Sequence, residues 1–224
     1  MSSIMWIAVI IVVIIILVIM VFLRAYSIRK NAGSEKDFHA RNREKAEARV
    51  DEMLRTLSSE YGGYVVHDVF LEEKEGVSSE LDHVYISKGG IFLLETKGEA
   101  AVIKGQVQDP KWQGRAHEGE KPVTNPILQN QAHVERLQNL WGEGIPKIYP
   151  ISVFPYGNVT LVSELAFDLK GAEECMRAIL AHSLYKEEEV EGFIEHFKQI
   201  VKEHGITREA HYENVRKRNI AQAK

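Results

Sequence analysis

Residues 80–97, ELDHVYISKGGIFLLETK, constrain the fold more than any other part of the chain. Val, Tyr, Ile, Phe and Leu dominate this stretch, and Gly89-Gly90 permits the positive φ angles that a tight hairpin turn requires. The pattern predicts two antiparallel strands joined by a short loop. Charged residues nevertheless lie in or at the ends of these apolar strands, namely Asp82, Glu95 and Lys97.

The length of the hairpin loop decides whether these charges meet. Successive side chains of a strand point to opposite faces, so Glu95 and Lys97 share a face. A two-residue loop at Gly89-Gly90 sets Asp82 opposite Lys97, and a four-residue loop at 87–90 sets it opposite Glu95. A three-residue loop would disperse the charges, because a slip of one residue turns every side chain to the other face. We therefore predict an even loop.

Two carboxylates and a lysine on one face favour phosphate chemistry. Hard divalent cations such as Mg²⁺ prefer oxygen ligands of this kind. A neighbouring lysine is suited to orienting water and to stabilising charge that develops on a phosphate. The alternative is a cross-strand salt bridge at the end of a sheet, which is common and has no catalytic meaning.

The remaining pattern predicts an α/β domain with a mixed sheet. A helix begins near Phe38 and ends before Gly62-Gly63, and its apolar stripe, extended towards the N-terminus, places Glu47 on the core side. Further strands are expected in segments 64–73, 100–108, 147–155 and 158–164, and further helices in 125–141 and towards the C-terminus. Residues 109–125 are rich in Pro, Gly and charge, and we expect a mobile loop there.

The N-terminus predicts a membrane segment. Residues 4–23 contain no charged side chain and are about as long as a helix that spans a bilayer. Arg24, Arg29 and Lys30 all follow this run, which predicts a short extracytoplasmic N-terminus of residues 1–3, a juxtamembrane linker of residues 24–40 and a cytoplasmic remainder. The expected location is the cell (inner) membrane, with a single pass. The single cysteine, Cys175, agrees with a reducing compartment.

The charged hairpin resembles the centre of the nuclease-related domain, NERD, a family of the PD-(D/E)xK nuclease superfamily. The motif of that superfamily, an acidic residue on one strand and an acidic-x-Lys triplet on the next, is matched by Asp82 and by Glu95-Thr96-Lys97. Ala46 stands where glycine is common in the family, which bears on helix packing rather than on chemistry. Other family positions are matched in order by Ala46-Glu47, by Trp112 and by Asn125-Pro126-Ile127-Leu128-Gln129.

The resemblance covers about residues 41–155 and implies a restriction-endonuclease-like mixed sheet flanked by helices. It leaves residues 156–224 as a C-terminal strand and helices that pack on this core. It also implies a catalytic set and a divalent metal ion, Mg²⁺ or Mn²⁺, bound by Asp82 and Glu95 with the Thr96 carbonyl as a third oxygen. Lys97 would position the attacking water. The implied catalytic residues are Glu47, Asp82, Glu95 and Lys97.

The second helix carries the residues expected to bind nucleic acid. Gln129, His133 and Arg136 follow helical spacing and form one stripe, suited to contacting phosphate oxygens. An ordinary polar helix face is the alternative for His133 and Arg136.

Taken with the resemblance, the sequence predicts a membrane-anchored, divalent-metal-dependent nuclease acting on nucleic acid, and DNA is the expected partner. The net charge of −4 weakens a DNA interpretation slightly, since any contact must come from a local basic patch. A membrane-tethered binding or scaffold module without catalysis stays open as the alternative.

Overall fold

The computed structural model describes residues 19–24, 40–98, 102–116, 119–156, 158–159 and 165–222. The predicted transmembrane helix lies largely outside these ranges, because residues 4–18 are not among them. Residues 19–24 form a helical segment whose apolar side chains are exposed. Across the described ranges, no helix combines the length and the apolar character needed to cross a bilayer.

The described chain from Arg43 onward belongs to one compact unit, in which a first helix is followed by six strands, one helix, three strands and three helices. Helix α1 spans residues 40–61. The other helices are α2 (Pro126–Trp141), α3 (Leu169–Leu180), α4 (Glu187–His204) and α5 (Arg208–Gln222). The strands are β1 (Tyr64–Lys74), β2 (Val77–Ser87), β3 (Gly90–Thr96), β4 (Val102–Lys104), β5 (Lys111–Ala116), β6 (Gly119–Thr124), β7 (Ile148–Phe154), β8 (Asn158–Val159) and β9 (Ala166–Asp168).

The strands form two sheets. The larger has the order β1-β2-β3-β7-β9, in which the first three strands are antiparallel and β3, β7 and β9 run parallel. The smaller has the order β6-β5-β4-β8. The predicted α/β fold with a mixed sheet is therefore confirmed.

Helices cover both faces of the larger sheet. On one face α1 and α3 pack on Tyr85 and Phe92, and α1 contributes the predicted stripe of Val50, Met53, Leu54 and Leu57. On the other face α2 and α4 pack on alternate residues of the same strands, which are Val84, Ile86, Ile91 and Leu93. Burying several aliphatic side chains on each face stabilises the layers, at about 1.5–3 kcal/mol for each one.

The hairpin between β2 and β3 has the predicted even loop. Ser87 pairs with Gly90, which leaves Lys88 and Gly89 as the two loop residues. His83 pairs with Leu94, and the same register continued by one residue sets Asp82 opposite Glu95. This is the register predicted for the four-residue loop at 87–90, but Ser87 and Gly90 form one further pair and shorten the loop to two residues.

The expected mobile loop at residues 109–125 was wrong, because most of this segment forms the antiparallel pair β5 and β6. Trp112 and Gly114 are buried, whereas Lys111 and Gln113 are exposed, so β5 has the alternation of a half-buried strand. Its Gly and charged residues concealed that alternation. The strand expected at 100–108 is shorter than predicted, and most of the one expected at 158–164 lies outside the described residues.

The turn glycine Gly90 provides a test of the fold. Its φ is 125°, and a Cβ there would lie 2.4 Å from the carbonyl oxygen of Lys147. Gly142 has a φ of 77° but would place a Cβ in open space. We expect Gly90→Ala to lower the free energy of unfolding by about 3 kcal/mol or more, and Gly142→Ala by about 1 kcal/mol. Urea denaturation of both variants measures the difference, and equal losses would contradict the close approach of β3 to Lys147.

Candidate active site

Strand β2 bends at Asp82. Leu81 contacts the same apolar cluster as Val84 and Ile86, so strict alternation of faces fails between residues 81 and 84. On β1, Asp68 lies between the residues that pair with His83 and Leu81, and its φ of 55° is the one positive value of a non-glycine residue in the described chain. Aspartate tolerates this left-handed conformation better than most residues do. The bend keeps Leu81 in the core while Asp82 turns towards Glu95.

The two predicted carboxylates are buried next to each other. Asp82 is 5% exposed and Glu95 is 3% exposed. Oδ2 of Asp82 accepts a hydrogen bond of 2.8 Å from the backbone N–H of Thr96. Nζ of Lys97 donates to Oε1 of Glu95 at 2.8 Å. The hairpin therefore brings together the acidic residue and the acidic-x-Lys triplet that the sequence analysis singled out.

Helix α2 is fixed over this hairpin by two asparagines. Asn125 caps the helix, because its Oδ1 accepts from the backbone N–H groups of Ile127 and Leu128. Its Nδ2 donates to the carbonyls of Val107 and Asp109 and so ties the helix to the preceding turn. Nδ2 of Asn130 donates to carbonyls of β3 and β7. The Asn-Pro-x-x-Gln segment thus sets the position of the helix that faces the carboxylates.

The polar stripe of α2 lies along the site. Oε1 of Gln129 accepts from Nζ of Lys97 at 2.9 Å. Nε2 of His133 is 3.4 Å from Oε2 of Glu95. Arg136, one turn further on, donates to the hydroxyl of Ser79 on β2. Of the three stripe residues, Gln129 and His133 therefore contact the predicted catalytic residues, whereas Arg136 lies beside the site.

Helix α1 reaches the site through an arginine that sequence analysis missed. Glu47 is half-buried, as its place on the apolar stripe predicted, and it accepts from Nε of Arg43 at 2.5 Å. Nη2 of Arg43 donates to Oε1 of Glu80 at 2.8 Å and to Oδ1 of Asp82 at 3.2 Å. The four-residue spacing of Arg43 and Glu47 was the only local signal, and it indicates no more than a surface ion pair.

The two buried carboxyls have pKa values that move in opposite directions. Burial and the neighbouring Glu95 raise the pKa of Asp82 well above its usual range, and Arg43, the Thr96 amide and Lys97 offset only part of that shift. Burial also acts to raise the pKa of Glu95, but Lys97 and His133 outweigh it, and this pKa lies below its usual value. Such separation of two neighbouring carboxyls is typical of acid–base and metal sites.

One carboxylate oxygen at the site lacks a hydrogen-bond partner among the described residues. It is Oε2 of Glu95, and both ring nitrogens of His133 share this property, because Nε2 of His133 lies 3.4 Å from Oε2 of Glu95 without the geometry of a hydrogen bond. Buried polar atoms in this state are rare in proteins and are found at sites that bind ions or substrates. The oxygen donors of Asp82 and Glu95 suit Mg²⁺ or Mn²⁺, which keep several waters and need only one or two carboxylates. No group of three or more His, Cys, Asp or Glu side chains in the described ranges is arranged to hold a metal ion.

Two other buried residues, Trp112 and His83, are structural. Trp112 is buried, and its Nε1 donates to the carbonyl of Gln106, so it anchors the smaller sheet. His83 is also buried, and its Nε2 lies 3.4 Å from Oδ1 of Asp51 on α1. Among the residues that the structure describes, neither of these side chains forms a hydrogen bond or an ion pair with Asp82 or Glu95.

A second residue that the sequence did not indicate is His211 on α5. It is buried, and its Nδ1 lies 2.9 Å from the hydroxyl of Ser78 on β2. Helix α5 is thereby fixed against the strand that carries Asp82. A histidine in a polar C-terminal helix offers no sequence signal for such a distant contact.

Comparison with known proteins agrees with this geometry. The family model described as nuclease-related domain, NERD, matches residues 42–155, which include every predicted site residue. An uncharacterized protein of Bacillus anthracis is 27% identical over 92 residues, which cover 41% of this chain and 43% of that protein. The chain therefore matches less than half the length of that relative. No solved structure matches the chain.

The opposite pKa shifts predict opposite effects of two isosteric substitutions. Because the folded-state pKa of Asp82 is raised, this group destabilises the fold increasingly as pH rises from about 4 through that pKa. Asp82→Asn removes this destabilisation. Glu95, with a lowered pKa, contributes stability that is present above about pH 4.5 and lost as pH falls through its folded-state pKa. At pH 7 we expect Asp82→Asn to raise the free energy of unfolding, and Glu95→Gln to lower it, each by on the order of 1 kcal/mol.

Urea denaturation of both variants and the unsubstituted chain, between about pH 4 and pH 8, checks these signs. The difference between each variant and the parent should shrink towards the acid end of that range. Two substitutions that shift the stability in the same direction at pH 7 would contradict the electrostatic description of the pair.

Proposed function

The chain belongs to the nuclease-related domain family, and on that premise we propose that it is a divalent-metal-dependent nuclease that hydrolyses phosphodiester bonds in DNA. The observation that carries the proposal is the buried pair of Asp82 and Glu95 beside Lys97. A restriction-endonuclease-like arrangement of the sheet is part of the same proposal. In it, the catalytic residues are Glu47, Asp82, Glu95 and Lys97.

In this proposal Asp82 and Glu95 hold Mg²⁺ or Mn²⁺, with the Thr96 carbonyl as a third oxygen. The unpartnered Oε2 of Glu95 supports this assignment, because a buried carboxylate oxygen without a hydrogen bond is available to an ion. A divalent ion at this place supplies positive charge against the phosphate and makes water more acidic.

Lys97 orients the attacking water and stabilises the charge that builds up on the phosphate. Its Nζ is held between Oε1 of Glu95 and Oε1 of Gln129, so the ammonium has a defined position next to the carboxylates. Fixed donors of this kind stabilise a transition state without reorganising during the reaction. Glu47, at the edge of the site, adds a further carboxylate on the side of α1.

The substrate backbone runs along α2 in this proposal, where Gln129, His133 and Arg136 contact phosphate oxygens. Arg136 carries a guanidinium of the shape that binds phosphate with two parallel hydrogen bonds, and its contact with the Ser79 hydroxyl gives it a fixed position. The ring nitrogens of His133 have no hydrogen-bond partner among the described residues and are suited to a polar ligand.

Cleavage of DNA tests the proposal directly. We expect the purified full chain to cut labelled single- or double-stranded DNA with Mg²⁺ or Mn²⁺ and not with EDTA. Asp82→Asn, Glu95→Gln and Lys97→Met should each lower the rate by about 100-fold or more, because each removes a ligand or a charge from the reacting centre.

The matched controls are Lys170→Met and Glu174→Gln. Lys170 and Glu174 form an ion pair on α3, and their side chains are 84% and 67% exposed. The two substitutions remove one positive and one negative charge at a distance from the site. Both controls should cut at the parental rate. Equal cutting by Asp82→Asn and the parent would overturn the assignment of the site.

A nucleic-acid-binding or scaffold module with the same fold is the second candidate, and one observation favours it. Arg43 already contacts the carboxylates of Glu47, Glu80 and Asp82, which gives this acidic cluster an internal cation. The same cleavage experiment separates the two candidates. If the parent and the Asp82→Asn and Lys97→Met variants bind DNA alike and none of them cuts, the binding module is the better account.

We also propose that residues 4–23 anchor the chain in the cell membrane as a single pass, with the domain in the cytoplasm. The apolar run and the basic residues that follow it support this proposal. Ile19, Phe22 and Leu23 are helical and expose half or more of their surface. Exposed apolar side chains of this kind are suited to a hydrocarbon environment.

Fractionation of cells tests the anchor. We expect the full chain to stay in the membrane pellet after alkaline carbonate extraction, and a variant lacking residues 4–23 to leave it, since it has lost the apolar run. A C-terminal epitope should be digested by protease in inside-out vesicles and protected in intact cells. Recovery of the full chain in the supernatant would contradict the anchor, and digestion in intact cells would contradict the orientation.

A further inference from the structure

We propose that Arg43 is an internal counter-cation of the acidic site, which a divalent metal ion must displace from Asp82 in order to bind. This inference rests on the proposed function, because it takes Asp82 and Glu95 as the metal ligands. It adds a residue of α1 that sets how tightly the site binds a metal ion. Arg43 thus competes with a cation for Asp82 and weakens its binding.

The guanidinium of Arg43 contacts three carboxylates of the acidic site. One side chain donates to Oε1 of Glu47, Oε1 of Glu80 and Oδ1 of Asp82, at 2.5, 2.8 and 3.2 Å respectively. These carboxylates come from α1 and from β2, so the arginine joins two elements that otherwise bring like charges together. A planar guanidinium is suited to this, since its five N–H donors can serve several carboxylates at once.

The two proposed metal ligands differ in whether their carboxylate oxygens already accept hydrogen bonds. Oε2 of Glu95 has no hydrogen-bond partner among the described residues and lies 3.4 Å from Nε2 of His133, so an ion that binds it breaks no hydrogen bond. On Asp82, Oδ2 accepts from the Thr96 amide and Oδ1 accepts from Arg43. A metal ion that binds Asp82 through Oδ1 therefore competes directly with Arg43, whereas Glu95 is already available.

The exposure of the residues permits this exchange. The side chain of Arg43 is 42% exposed, while that of Asp82 is 4% exposed. Arg43 lies in the first turns of α1, so its guanidinium borders on solvent and can leave without unpacking the core. Its bond to Glu47, four residues away on the same helix, can persist when the bonds to Glu80 and Asp82 break.

Electrostatics gives the direction of the effect. Hydrogen bonds between charged groups are stronger than those between neutral groups. In the parent chain a metal ion that binds Asp82 must break the Arg43 contacts, so its binding is weakened by the free energy that those contacts contribute. Removal of the guanidinium also leaves uncompensated carboxylates, which attract a divalent cation more strongly. Both effects predict tighter metal binding when Arg43 is replaced by an uncharged residue.

The test is the affinity of the purified full chain for Mn²⁺, measured by isothermal titration calorimetry in detergent. Arg43→Met retains the length of the side chain and removes the charge, and we expect it to bind Mn²⁺ about tenfold more tightly than the parent, or better. Arg43→Lys keeps the charge without the planar fork and should bind Mn²⁺ less tightly than Arg43→Met. Arg43→Gln also removes the charge and keeps the test valid if Arg43→Met does not fold, since a glutamine variant with the parental affinity would overturn the proposal.

Arg55→Met is the matched control. Arg55 lies on the same helix, its side chain is 75% exposed and its ion pair is with Asp51, so the substitution removes one positive charge away from the cluster. We expect it to bind Mn²⁺ like the parent. Equal tightening in Arg55→Met and Arg43→Met would show an effect of net charge alone and would overturn the proposal.

Asp82→Asn separates failure of the inference from failure of the proposed function. If Mn²⁺ binding depends on Asp82 and Arg43→Met binds no more tightly than the parent, the counter-cation role is wrong and the metal site stands. If neither the parent nor any Arg43 variant binds Mn²⁺, the metal-dependent function is wrong and the inference falls with it. Tightening in Arg43→Met that persists in the double variant with Asp82→Asn would place the ion elsewhere and would also overturn the inference.

Discussion

The pairing of β2 with β3 is the constraint on which the rest of the site depends. Val84 pairs with Leu93 and Ile86 with Ile91, and all four side chains lie in the apolar cluster under α2 and α4. The opposite face of the same strands carries Tyr85, Phe92 and Leu94, which lie in the apolar cluster under α1 and α3. A slip of one residue would exchange the side chains of the two clusters, and side chains of the wrong shape in a packed core cost about 1–3 kcal/mol each. The packing of both faces therefore selects the register, and the register brings Asp82 and Glu95 together.

Local rules were sufficient for much of the fold. The stripe of α1, the extent of α2 and the even hairpin loop depend on residues within a few positions of one another, and each is present as the sequence predicted. The β5–β6 pair was not predicted, because Gly and Pro outweighed an alternation that only becomes clear once Trp112 is known to be buried. The irregularity of β1 and β2 near Asp68 and Asp82 was also not predicted, since neither residue alone indicates one. It becomes visible only in the positive φ of Asp68 and in the register of the two strands.

The candidate site divides in the same way. Asp82, Glu95 and Lys97 share one hairpin, so counting along the strands was enough to place them together. Arg43 is 39 residues from Asp82 in sequence, and its contacts depend on where the first turns of α1 pass the end of β2. That position follows from the packing of whole layers, which no spacing within the helix encodes. The sequence therefore indicated the candidate catalytic residues more easily than the residues from other elements that contact them.

The energetic imbalance of the site is an argument about what it is for. A buried carboxyl whose charged form is disfavoured costs about 1–3 kcal/mol or more, which is a large fraction of the stability of an ordinary domain. Asp82 is such a group, since burial and Glu95 both disfavour its charged form. At Glu95 the effect of burial is outweighed by Lys97 and His133, which lower its pKa. A sheet that served only as a scaffold would be more stable with apolar side chains of similar size at both positions. The unfavourable electrostatics that remain at Asp82 have a physical purpose if a cation relieves them, and Arg43 offsets only part of them.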